Sequence, residues 1–116
     1  YRAVAQLQGV PAQDLQPSDI AERGVQGTCP VCQEVMATFC ALLGSVTGNL
    51  ALTLGARGGV YLGGGILPKL GDYFLQSQFR ARFESKGRFT GYLQAVPVYL
   101  ILSPYPALIG AAQALA

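Results

Sequence analysis

Gly58-Gly59-Val60-Tyr61-Leu62-Gly63-Gly64-Gly65-Ile66-Leu67-Pro68-Lys69 is the stretch from which the fold of this 116-residue chain can be read. Val60, Tyr61 and Leu62 make a compact β candidate that runs straight into three glycines. An amphipathic helix is expected to start near Pro68 and run through Leu70, Tyr73, Phe74 and Leu75. Strand, glycine turn and helix together are the unit from which α/β layers are built. Open α/β sheets bind ligands at the carboxyl ends of their strands, where missing side chains let backbone approach a nucleotide and the next helix offers free N–H groups. Neither standard phosphate fingerprint is completed. Pro68 stands where Gly-x-Gly-x-x-Gly needs its third glycine, and Lys69 lacks the preceding Gly and following Ser or Thr of a P-loop. Spacing alone therefore supports a ligand site and a ligand-free tight turn equally.

Downstream, Gln78 to Lys86 reads as a second helical piece with Phe79 and Phe83 four residues apart on one face. Gly87 ends it, and Phe89 to Ala95 is expected to add a turn or two. Pro97 opens a second strand, Val98-Tyr99-Leu100-Ile101-Leu102, a continuous apolar run of the kind seen in fully buried strands. Ser103, Pro104 and Pro106 lead into a last helix, Ala107 to Leu115. The order strand, helix, strand, helix predicts an α/β layer with parallel pairing. Arg80, Arg82, Lys86 and Arg88 read as a solvated helix face beside Glu84 rather than a phosphate or partner site. Phe79, Phe83 and Phe89 between them fit core packing before base stacking.

Upstream, Thr28 to Leu54 reads as the longest helix, with Thr28 as N-cap, Pro30 near the first position and Gly55 as the stop. Its apolar residues nearly encircle it, so it belongs in a core or a membrane. Gly44 and Gly48 form a Gly-x-x-x-Gly pair that suits membrane helices. Thr38, Ser45, Thr47, Asn49 and Thr53 oppose that reading, as does the lack of any Trp anchor. The expectation is a buried helix whose small residues let another element approach, and no membrane partner. Before it, Tyr1 to Gln8 reads as a helix tail, Gly9 to Pro17 as a loop, and Ser18 as the cap of a short helix from Asp19 ending at Gly24 or Gly27.

Composition narrows the function. Hydrophobic residues make up 51% and charged ones 12%, against about 25% charged in an average globular protein. Disorder is excluded, and a net charge of +2 argues against a nucleic-acid partner held by phosphate neutralisation. The deficit is uneven, because Val35–Ala56 and Phe89–Ala116 carry no charge at all. The chain contains no His, which excludes Ser-His-Asp, Cys-His and His-zinc catalysis within it. No signal peptide is visible from Tyr1 onward, and a cytoplasmic location is expected. Cys29-Pro30-Val31-Cys32 has the spacing of a redox pair at a helix start, where a thiol is acidified. A zinc site would have only Cys40 as a further sulfur ligand, and ordinary reduced cysteines are the favoured reading.

The run Gly58 to Lys69 closely resembles the adenosine motif near the C-terminus of bacterial glucokinases, within the actin-like sugar-kinase superfamily. The likeness continues through Asn49-Leu50-Ala51-Leu52, Phe79 to Phe89, Pro97-Val98-Tyr99-Leu100-Ile101 and Pro106 to Ala112, in order and spacing over essentially the whole chain. The resemblance implies an α/β fold, part of a ribonuclease-H-like, actin-type ATPase lobe. Residues 1–116 would be the C-terminal part of the large lobe of a glucokinase, an incomplete domain. It implies ATP-dependent phosphorylation of glucose at its 6-hydroxyl with Mg²⁺ on the phosphates. Gly63, Gly64 and Gly65, with Ile66 and Leu67 behind them, would form the adenosine turn. The Gly110-Ala111-Ala112 helix would connect the lobes. The family's phosphate loop, catalytic Asp and sugar-binding side chains match no position in this chain, so none of Asp14, Asp19, Glu22, Glu34, Asp72 and Glu84 is assigned catalysis. The chain is accordingly expected to be inactive alone and to show an apolar face toward a missing N-terminal lobe, with a homodimer as a further candidate partner. Two further readings stay open, a non-catalytic nucleotide-binding or interaction module derived from a sugar kinase, and a small membrane protein.

Overall fold

A computed structural model describes residues 1–116. Its elements in chain order are α1 (Arg2–Leu7), α2 (Pro17–Gln26), α3 (Pro30–Leu54), β1 (Val60–Leu62), α4 (Ile66–Leu70), α5 (Asp72–Gln76), α6 (Phe79–Glu84), a 3-10 turn (Gly87–Phe89), α7 (Thr90–Gln94), β2 (Val98–Leu100) and α8 (Pro106–Leu115). β1 and β2 pair in parallel with Val60 opposite Val98 and Leu62 opposite Leu100, as the strand and helix alternation predicts. The Val60 N–H donates to Pro97 O and the Ile101 N–H to Leu62 O, each at 2.9 Å, which extends the ladder past both ends.

The 25-residue α3 is the axis of the molecule. Its buried positions Cys32, Met36, Cys40, Gly44, Thr47 and Ala51 recur at helical spacing and lie on one side. A Cβ on Gly44 would collide with the Phe79 carbonyl, and one on Gly48 would stand 2.5 Å from the Phe83 carbonyl. The glycine pair thus admits the backbone of α6. Phe79 and Phe83 share one face, stacked at 6.1 Å, and pack into the core with Leu67, Leu70, Phe74, Leu93 and Val96.

Several local expectations are corrected. α2 begins at Pro17 with Gln16, not Ser18, as N-cap, because Gln16 and Asp19 close a reciprocal capping box. Gly24 lies inside α2 and only Gly27 ends it. α3 is capped by Cys29, whose Sγ accepts the Cys32 N–H, instead of Thr28. The helix expected from Pro68 to Leu75 starts at Ile66 and breaks at Gly71, whose φ of +53° and ψ of −129° suit only glycine. β2 stops at Leu100 and is half-buried, because a two-stranded sheet covers it on one side only. Leu42, Val46 and Leu50 leave one flank of α3 exposed, so the helix is buried on one side and not all round.

The basic cluster is corrected in part, since Arg82 and Arg88 are exposed as expected and Arg80 and Lys86 are bonded to backbone. Arg80 is not free in solvent: though its side chain stays 40% exposed, its guanidinium donates to the carbonyls of Leu93 (3.1 Å), Gln94 (3.1 Å) and Val96 (2.9 Å) and pairs with Glu84. These carbonyls end α7 and lead into β2, where helical N–H partners run short and Leu93 O keeps only the Val96 N–H at 3.1 Å. Lys86 likewise donates to Ser45 O at 3.0 Å, tying the end of α6 to the middle of α3. Sequence spacing could not show these bonds, because their acceptors lie more than ten positions away.

Candidate nucleotide-binding cleft

The parallel pairing of β1 sets the direction in which Leu62 delivers the chain to Gly63, and the turn Gly63-Gly64-Gly65 then opens α4. Gly64 has φ +118°, a backbone conformation that a side chain would strain. A Cβ placed on Gly64 or Gly65 would meet nothing within 4 Å, so the turn faces open space. Packing does not require glycine there, and backbone conformation does so only at Gly64. A Cβ on Gly63 would touch Ile101 Cδ1 at 3.6 Å, an ordinary contact with the strand behind it.

A cleft of about 600 Å³ opens between α2 and α4, beside this turn. Its volume lies within the range of about 300–1,000 Å³ usual for small-molecule sites. One wall is α4 with its preceding residue, contributing Gly65, Ile66, Lys69 and Leu70. The opposite wall is α2, contributing Ser18, Ala21, Glu22, Val25 and Gln26. Apolar surface from Ala21, Val25 and Ile66 suits a flat ring, while Ser18, Glu22, Gln26 and Lys69 supply polar groups. Of the five residues singled out from sequence, Gly65 and Ile66 line the cleft, Gly63 and Gly64 shape the turn, and Leu67 is 4% exposed in the core behind it.

The α2 wall is what sequence reasoning missed. Ser18, Ala21, Glu22, Val25 and Gln26 recur three and four apart and so share one helix face, a signal that was present. Nothing in the sequence told which element that face would oppose. The donor set fits the adenosine end of a nucleotide better than a metal. Glu22 is the single carboxylate on the cleft, and no group of three or more His, Cys, Asp or Glu side chains gathers in the chain to hold an ion.

Comparison with known proteins bears on the family. The glucokinase family model matches residues 1–116. The chain is 58% identical over 115 residues to a glucokinase of Aromatoleum aromaticum and 54% identical to one of Neisseria meningitidis, covering 99% of this chain and 35% of each relative. Among solved structures it is similar to the crystal structure of a glucokinase from an Antarctic psychrotroph. There the TM-score is 0.89 at 42% identity, over 99% of this chain and 36% of that one. The chain spans about a third of the length of the curated relatives it matches. A strand, glycine turn and helix in the right order, and a match running from the first residue to the last, lead to one conclusion: this chain belongs to the glucokinase family.

Proposed function

We propose that residues 1–116 are the C-terminal part of the large lobe of a glucokinase and supply the adenosine-binding wall for ATP-dependent phosphorylation of glucose, in the cytoplasm. The observation that carries this reading is the α2–α4 cleft beside a glycine turn with open space at Gly64 and Gly65. The purine would lie between the apolar surfaces of Val25 and Ile66, with Ser18, Glu22 and Gln26 reaching its polar edge and ribose hydroxyls. A nucleotide supplies the phosphoryl group. This chain's part is to bind and orient it, since phosphoryl transfer depends mainly on positioning and charge stabilisation. Groups for Mg²⁺, for glucose and for orienting its 6-hydroxyl would come from the remainder of the enzyme. On this reading the chain is inactive alone, and Gly110-Ala111-Ala112 in α8 forms a close crossing between the lobes as they hinge.

The test uses the complete enzyme carrying Val25→Trp, which fills the cleft from an exposed position on α2. The expected result is a KM for ATP raised about tenfold or more, as loss of roughly 1.4 kcal/mol of binding would give, with the KM for glucose unchanged. An unchanged KM for ATP would overturn the assignment of the cleft. Glucose-dependent ADP formation by the 116-residue chain in a coupled assay would overturn its inactivity.

A further inference from the structure

Two thiols stand at the start of α3 that the candidate cleft does not use. Cys29 is the N-cap of α3, and its Sγ accepts the Cys32 N–H at 3.4 Å. Cys32 lies one turn further on and is completely buried, while Cys29 is half-buried. Both are free, and no group of three or more potential metal ligands gathers anywhere in the chain. Pro30, at the first helical position, sets the backbone between them. An accessible first thiol at a helix N-terminus with a buried second thiol one turn later is the arrangement of an attacking and a resolving cysteine.

We propose that Cys29 and Cys32 form a reversible thiol–disulfide site, oxidised by small-molecule disulfides, that acts on the α2–α3 junction behind the candidate cleft. The Cys29 thiolate attacks one sulfur of the small disulfide, forming a mixed disulfide and expelling one thiolate. Cys32 then gives up its proton and attacks Cys29 Sγ, expelling the second thiolate. Two protein thiols are oxidised and one small disulfide is reduced to two thiols. The two sulfurs are prepared differently: the hydrogen bond from the Cys32 N–H holds the Cys29 pKa below the ordinary thiol value, while burial, then the neighbouring Cys29, push Cys32 up to about 11. Cys29 therefore attacks, and loss of its charge in the mixed disulfide removes the lesser of the two causes that keep Cys32 protonated, burial being the greater.

Oxidation would be felt by α2 because the junction has no slack. A Cβ on Gly24 would stand 2.8 Å from the Cys32 carbonyl and would collide with Met36. The Thr28 N–H, one residue before Cys29, donates to the Arg23 carbonyl of α2 at 3.1 Å. Gly24 thus rests on Cys32, while Ala21, Glu22 and Val25 of the same helix line the cleft. The consequence for nucleotide rests on the function proposed above. The thiol chemistry and the response of α2 do not.

The chain is incubated with oxidised glutathione, digested and mapped by mass spectrometry, with amide exchange followed across α2. The expected product is a Cys29–Cys32 peptide lighter by two hydrogens, with Cys40 still free and full reversal by dithiothreitol. Cys32→Ser should hold the mixed disulfide at Cys29, and Cys29→Ser, at a half-exposed position that leaves the core intact, should abolish the reaction. Exchange at Arg23 to Gln26 should change on oxidation. Failure to form the bond in the folded wild-type chain, or faster loss of the Cys40 thiol, overturns the site; a bond that leaves α2 exchange unaltered overturns the coupling. Neither result depends on nucleotide binding, so failure of the cleft assignment is read separately.

Discussion

The half of the molecule built from α2, α3, α6 and α7 differs sharply from the end formed by β1, β2 and α8. In the first, Cys32, Cys40, Phe83, Leu93 and Val96 are almost wholly buried, and helix backbones meet closely at Gly44 and Gly48. In the second, no residue of α8 is buried, the strands have one unpaired edge each, and Tyr61 and Tyr99 stack at 5.1 Å on an exposed face. Both ends are apolar in composition, so hydrophobicity alone does not separate them. The first contains partners for one side of α3 and leaves Leu42, Val46 and Leu50 exposed, whereas α8 and the Tyr61–Tyr99 face of the second are uncovered altogether. The chain spans about a third of the length of the curated relatives it matches.

That contrast can be broken most severely at Phe83, which is 0% exposed between α3 and α6. Phe83→Ala should cost about 3–5 kcal/mol, read as a lower urea midpoint at unchanged slope. A loss below about 1 kcal/mol, small for a filled core position, would mean that the helical half is not the stable unit. Next in size is Arg80→Ala, which takes the guanidinium donor from the carbonyls of Leu93, Gln94 and Val96, leaving Leu93 with the Val96 N–H alone. Because the guanidinium keeps solvent contact, the expected cost is about 1–2 kcal/mol, with β2 amides losing protection from exchange before those of α3. Equal loss in both would show that Arg80 does not specifically tie α7 to β2. The smallest effect is expected at Ile109, 59% exposed on α8. Ile109→Ser should change stability by less than about 0.5 kcal/mol while reducing binding of an apolar dye. An unfolding shift comparable to that of Phe83→Ala would place α8 in the packed half and erase the distinction.

The same contrast explains what was legible in advance. α3, the Phe79 and Phe83 face and the parallel strand pair follow from spacing, because a helix or strand that buries one side must repeat its apolar residues at a fixed period. The start of α2 was misread because Gln16, an unusual cap, is rescued by Asp19 three residues on. Arg80 was misread because a guanidinium beside a glutamate looks solvated until its carbonyl acceptors are brought near by the fold. Half of the candidate cleft was legible, the glycine turn, through its missing side chains and the family likeness. The α2 half was not.

By itself, the sequence determined the alternation of helices and strands, the glycine turn, the pairing of Cys29 with Cys32 along one helix start, and membership of the glucokinase family. These are local or ordered features, written in periods of two and about 3.6 residues and in the run of motifs along the chain. Only the tertiary structure decided that Gly44 and Gly48 receive the backbone of α6, that Arg80 closes α7, and that α2 stands across the cleft from Gly65. Each of these joins residues far apart in the chain. Such contacts are chosen by close packing and by the requirement that buried carbonyls find donors, neither of which leaves a periodic mark on the sequence.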